Sequence, residues 1–240
     1  MKAIFLHGVP TDGRLWDPVR RHLDDVEIQN PDLPGYGQQP PLSHPTLDAH
    51  LVWMDDVLPD PRGHHLVGQD FGGLLAALWA VRRGARSVTL TSSPADLLWL
   101  WPRIAALPVV RYPFYERFGG RLYLSRGCAP EVRERFVAQF MPGVQREGLS
   151  LYMRRTAEGI SARALARLPG QLRRSRIPTL CLWGDADRFH PPPIARWTAR
   201  RIGAEVRWVA GGRHYAPYDR PAAYAEQLQA FWLRAGGATG

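Results

Sequence analysis

Three side chains of this 240-residue chain are of types that could act together on one bond: Asp70, Asp187 and His214. Asp70 lies in Gly68-Gln69-Asp70-Phe71-Gly72-Gly73, after the apolar run from His64 and ahead of Leu74 to Trp79. A strand turning sharply into a helix needs small residues two before and two after the apex, and Gly68 and Gly72 supply them. A carboxylate at that apex is anionic at neutral pH and can attack saturated carbon without first losing a proton. The product is an ester of the aspartate, and its cleavage needs a base to activate water. An imidazole held by a second carboxylate does this, and His214 and Asp187 have the types required.

The elements that must position these groups follow from periodicity and breakers. Lys2 to His7, Val26 to Asp32, His64 to Gln69, Ser87 to Ser92, Pro178 to Gly184 and Glu205 to Ala210 read as strands. Helices are expected over Leu15 to Leu23, from Thr46 through apolar positions 47, 51, 54, 57 and 58, over Phe71 to Arg83, Ile194 to Ile202, and Ala222 to Leu233. Strand and helix in alternation imply an α/β fold with a parallel sheet covered on both faces. Asp70, Asp187 and His214 then all fall after the carboxyl ends of strands, where ligands bind in such sheets. The alternation stops at Pro94. Residues 95–174 show no buried strand, are punctuated by prolines, and read as several short helices too long to be a loop.

Composition narrows the functional classes. With 45% hydrophobic residues and a mean hydropathy of −0.28, the chain can bury a full core, and no run approaches a membrane span or a signal peptide. A cytoplasmic protein is expected. Cys128 and Cys181 lack metal-ligand or disulfide spacing and read as free thiols, and neither a metal nor a cofactor is expected. The net charge is +9, and residues 95–174 carry most of it, with 14 Arg against 6 acidic residues. No nucleic-acid motif accompanies that excess, so neither nucleic acid nor a membrane is expected as a partner. A small, apolar substrate is the expected partner, with a homodimer left open.

The segments LHGVPTDGRLW, PDLPGYGQQP, HLVGQDFGG, LWGDADRFHP and GGRHYAPYDRP stand in order across 1–94 and 175–240. Together they resemble α/β hydrolases, in particular the epoxide-hydrolase and haloalkane-dehalogenase branch, whose nucleophile is aspartate. The resemblance implies an α/β-hydrolase core from 1–94 and 175–240, with a helical cap inserted at 95–174. It implies Asp70 as nucleophile, His214 as base, Asp187 as orienting acid, and the backbone amides of Val9 and Phe71 as the oxyanion hole. Asp185 competes with Asp187 for the acid's role, and Asp96 is a further alternative.

The leaving group separates two activities. Epoxide hydrolases use cap tyrosines as donors to the ring oxygen, and Gly148-Leu149-Ser150-Leu151-Tyr152-Met153-Arg154 is similar to one such place. Tyr152 is the expected donor, and a second falls among Tyr112, Tyr115 and Tyr123. Haloalkane dehalogenases use a tryptophan after the nucleophile and often an asparagine after the His-Gly pair. Here those positions hold Phe71 and Val9, which have no side-chain donor. Epoxide hydrolysis is therefore expected first. Haloalkane or haloacetate dehalogenation is the alternative, with Trp99 or Trp101 as stand-in donors, and ligand binding without turnover is the reading from another class. Of the remaining residues, His64, His65 and His190 read as solvated, His7 as support for its loop, and Trp79, Trp183, Trp208 and Trp232 as core.

Overall fold

A computed structural model of the protein describes residues 1–94, 124, 128–145 and 149–237. Its centre is a six-stranded, all-parallel sheet of β1 (Lys2–Leu6), β2 (Glu27–Gln29), β3 (His65–Gln69), β4 (Ser87–Thr91), β5 (Thr179–Gly184) and β6 (Glu205–Val209). The spatial order is β2-β1-β3-β4-β5-β6. The chain therefore leaves β1 toward one edge and returns to build β3 on the other side, so the switch point lies between β1 and β3.

Period-two alternation divides the core into two layers. Ile4, Leu66, Val88, Leu90, Cys181 and Trp183 point to one face, and Phe5, Val67, Leu180 and Leu182 to the other. The first face is covered by α1 (Leu47–Val57), α2 (Phe71–Arg83) and α3 (Pro192–Ile202), the second by Leu15, Trp16 and Val19 and by α4 (Pro221–Gly237). The expected helix over Leu15 to Leu23 is instead a 3-10 turn, Gly13–Trp16, followed by a single helical turn, Asp17–Arg20. Pro18 has no N–H to offer the Arg14 carbonyl and is favoured in the first turn of a helix, which is where it stands in Asp17–Arg20.

Within 95–174 the described residues form α5 (Pro130–Gln145), α6 (Leu149–Glu158) and α7 (Ala162–Ser175). Leu165, Leu168 and Leu172, spaced at three and four along α7, share one apolar cluster with Leu74 and Leu75 of α2 and Ala195 and Ala199 of α3. Tyr152 and Met153 of α6 join the same cluster, and Phe136 and Phe140 of α5 pack against Tyr215 and Tyr218 in the second cluster. Cys128 and Cys181 are buried and free. Trp79, Trp183 and Trp232 are fully buried, while Trp208 is half-buried under the Arg196 guanidinium. Among the described residues, no helix is long and apolar enough to cross a membrane.

Candidate active site

Asp70 occupies the turn between β3 and α2 with φ 51° and ψ −119°, a backbone conformation that L residues rarely adopt. The surrounding glycines explain how the chain holds it. A Cβ on Gly68 would lie 2.4 Å from the Gly72 carbonyl oxygen, and one on Gly72 would lie 2.2 Å from that of Leu6. The helix thus sits close against the ends of β1 and β3. Two further bonds clamp the apex: the Asp70 N–H donates to the Thr91 carbonyl at 2.9 Å, and Ser93 Oγ donates to the Asp70 carbonyl at 2.7 Å.

This backbone orients the carboxylate. Asp70 Oδ1 accepts the Phe71 N–H at 2.7 Å, and Oδ2 faces His214 Nε2 at 3.8 Å. Asp70, Asp187 and His214 are all buried. His214 follows β6, and its Nδ1 lies 3.4 Å from Asp187 Oδ2. Because a carboxylate only accepts, that contact places a proton on Nδ1. The Gln69 amide nitrogen, which only donates, lies 3.1 Å from Nε2 and makes that atom the acceptor.

Asp187 is held from all sides. Its Oδ1 accepts the N–H groups of Phe189 and His190 at 2.8 and 3.0 Å, while Oδ2 also accepts Ser92 Oγ at 2.8 Å. Burial pushes the Asp187 pKa upward, but the hydrogen bonds it accepts from the His214 ring and the His190 backbone N–H outweigh it and hold the group below the ordinary carboxylate value. Asp185 does different work. Its Oδ1 accepts the Gly211 N–H at 2.7 Å and pins the loop after β6. Asp96, Trp99, Trp101, Tyr112, Tyr115 and Tyr123 lie outside the described residues.

The loop after β1 packs on the elbow: a Cβ on Gly8 would fall 2.6 Å from Asp70 Cβ. His7 secures that loop, with Nε2 accepting the Leu33 N–H at 2.8 Å and Nδ1 donating to the Gly8 carbonyl at 2.9 Å. The next residue is Val9, whose carbonyl accepts Tyr215 Oη at 3.2 Å. Tyr152 reaches the site only indirectly. Its hydroxyl is 3.4 Å from His50 Nε2, and the His50 ring stands edge-on to Phe71 at 5.3 Å between centroids. Since His50 Nδ1 donates to the Thr46 carbonyl at 2.7 Å, Tyr152 is the donor of the pair, and burial pushes its phenol up to about 12.

Three histidines read as solvated are instead buried: His64, His65 and His190. His64 Nδ1 bonds the Asp60 carbonyl at 2.8 Å. His65 bonds Ser87 Oγ at 2.7 Å and stacks on Trp232, because a central parallel strand has no wet face. His190 Nδ1 donates to the Ser92 carbonyl at 2.8 Å, and its ring packs edge-on to His214 at 5.1 Å. Gln69, Ser92 and His190 are thus site residues that sequence reasoning missed. For Gln69 a signal existed, because it directly precedes the apex, whereas Ser92 and His190 meet the site only through strand pairing.

Residues 3–227 match the model of the alpha/beta hydrolase family, and the chain belongs to it. Among curated proteins it is similar to lipase LipV of Mycobacterium tuberculosis, 34% identical over 85 residues, or 34% of this chain and 32% of that protein. A haloalkane dehalogenase of Mesorhizobium japonicum is 33% identical over 149 residues, covering 59% of this chain and 40% of its own. The first curated relatives are matched over about a third to a half of their length. A loop variant of haloalkane dehalogenase DbeA from Bradyrhizobium elkanii superimposes with a TM-score of 0.76 at 21% identity, covering 100% of this chain and 91% of that one. At that identity the likeness speaks for the fold alone.

Proposed function

We propose that the protein is a hydrolase that opens a bond at saturated carbon through an alkyl ester of Asp70. The observation that carries this reading is the division of labour between the two carboxylate oxygens. Oδ2, on the His214 side, is the attacking atom. Oδ1 already rests on the Phe71 amide, where the carbonyl oxygen of the ester must sit to be stabilised as an oxyanion, and the Val9 amide is the second donor proposed. His214 Nε2 then takes a proton from water, which adds to Cγ. Asp187 stabilises the imidazolium, and collapse of the tetrahedral intermediate returns the proton to the departing alkoxide. The product carries the former Oδ2, and Asp70 keeps the oxygen of water. Attack on an ester carbonyl by the same carboxylate would instead give an anhydride, a high-energy acyl intermediate, so esterase names among the relatives fit this aspartate poorly.

The preferred substrate class is an apolar epoxide. Ring opening leaves an alkoxide that needs a proton, and Tyr152 is a buried phenol that can turn from His50 to supply it. Dehalogenation is the second reading, favoured by the dehalogenase relative and by the absence of a proton requirement for halide departure. Single turnover in heavy-oxygen water tests the common step: label is expected in Asp70, and product formed without that label would exclude the ester. His214→Gln should trap the adduct, seen as a mass increase equal to bound epoxide. Tyr152→Phe should slow epoxide opening and spare a haloalkane, whereas equal loss on both would remove Tyr152 from the chemistry.

A further inference from the structure

His190 has no part in that mechanism, yet it completes a constellation. Asp70, His190 and His214 are buried, and each presents one ligand-capable atom within 4.8 Å of the other two. Both imidazoles are held by their far nitrogens, as histidine ligands of metals are: His214 Nδ1 by the Asp187 carboxylate and His190 Nδ1 by the Ser92 carbonyl. The atoms offered to the centre are then Nε2 of each ring, that of His214 being in contact with the Gln69 amide at 3.1 Å.

We propose that Asp70 Oδ2, His190 Nε2 and His214 Nε2 form a binding site for a borderline divalent cation, Zn2+ above all, with water as the fourth ligand. Two imidazoles and one carboxylate suit zinc, while magnesium and calcium require more oxygen ligands. Zinc bonds of about 2.0–2.1 Å separate tetrahedral ligand atoms by roughly 3.4 Å. The one separation measured directly, 3.8 Å between Asp70 Oδ2 and His214 Nε2, is a few tenths of an ångström from that value. Gln69 must release His214 Nε2, but its amide keeps a second acceptor, the His214 carbonyl at 3.5 Å. The bound cation occupies the lone pairs of both the attacking oxygen and the base, so it blocks turnover. The binding rests on the geometry alone; the inhibition rests on the roles assigned above to Asp70 and His214.

Equilibrium dialysis of chelator-treated protein against Zn2+ tests the site, with Co2+ as a spectroscopic substitute. One ion per chain is expected, with the visible bands of tetrahedral cobalt. His190→Gln and, separately, Asp70→Asn should each weaken binding at least about tenfold and abolish those bands, while Asp187→Asn should weaken it about 10- to 100-fold. The exposed pair His22→Gln/His44→Gln should change nothing. Circular dichroism and melting show whether each variant is folded, and either of the first two, once folded, suffices for the test. Failure to bind near one equivalent, or binding insensitive to His190→Gln and Asp70→Asn, overturns the site. Zinc bound at one per chain without slowing turnover overturns the inhibition. Absence of heavy-oxygen label in Asp70 bears on the ester mechanism alone and leaves the dialysis result intact.

Discussion

Asp187 shows how much of a buried charge's behaviour is set by its neighbours. Four donors meet its two oxygens, and only one of them is the histidine it orients. Asp187→Asn keeps the volume but offers an amide N–H to His214 or to a backbone donor, which favours the wrong tautomer. Ester hydrolysis should fall by about 10³–10⁴-fold, while the first step, which needs only the Asp70 carboxylate, continues. Rapid-quench mass spectrometry should therefore find alkylated Asp70 accumulating in this variant, and proportional slowing of both steps would contradict the split. The acid's identity was only partly legible in Trp183-Gly184-Asp185-Ala186-Asp187. Two aspartates two residues apart on one turn look alike until the fold shows that Asp185 faces the Gly211 amide and Asp187 faces the imidazole.

At the level of elements, the turn between β3 and α2 was readable because its constraint is local: glycines at fixed offsets have one steric explanation. Gly72 makes this testable. Its missing side chain faces the Leu6 carbonyl, a backbone atom of the central sheet that cannot swing aside. Gly72→Ala should cost about 3 kcal/mol or more, measured by urea unfolding, and a near-neutral result would mean that α2 can slide off β1. The helix Phe71–Arg83 was legible to the residue for the same local reason. Leu15 to Leu23 was not, because apolar spacing does not register that Pro18, favoured in the first turn of a helix, stands in mid-run. His190 was illegible too. Asp-Arg-Phe-His-Pro reads as an exposed turn, and only the pairing of β4 with β5 brings it under Ser92.

Over the whole molecule, burying polar groups in a two-faced sheet ties stability to pH. His65 is buried between Ser87 and Trp232, and burial, helped by the charge of Arg86, lowers its pKa from 6.5 to about 4. The unfolded chain then binds the proton first as pH falls. This contribution is fully present above about pH 6.5 and is lost progressively toward pH 4. Between pH 7 and 5 the loss from this residue should be on the order of 1–2 kcal/mol. His65→Phe paired with Ser87→Ala, which leaves no orphaned hydroxyl, should flatten the pH dependence of unfolding free energy in that window. An unchanged slope would assign the effect to other histidines.

The join between β4 and β5 carries a consequence for how the molecule loses its chemistry. Val88 pairs with Thr179 and Leu90 with Cys181, so this ladder stitches the N-terminal part of the chain, which holds Asp70, to the C-terminal part, which holds Asp187 and His214. The nucleophile belongs to one flank and its base and acid to the other. The 3.8 Å between Asp70 and His214 is therefore a gauge of that seam. Fraying there would silence the site while each flank still kept its own strands and helices, so failure of function would come ahead of failure of fold.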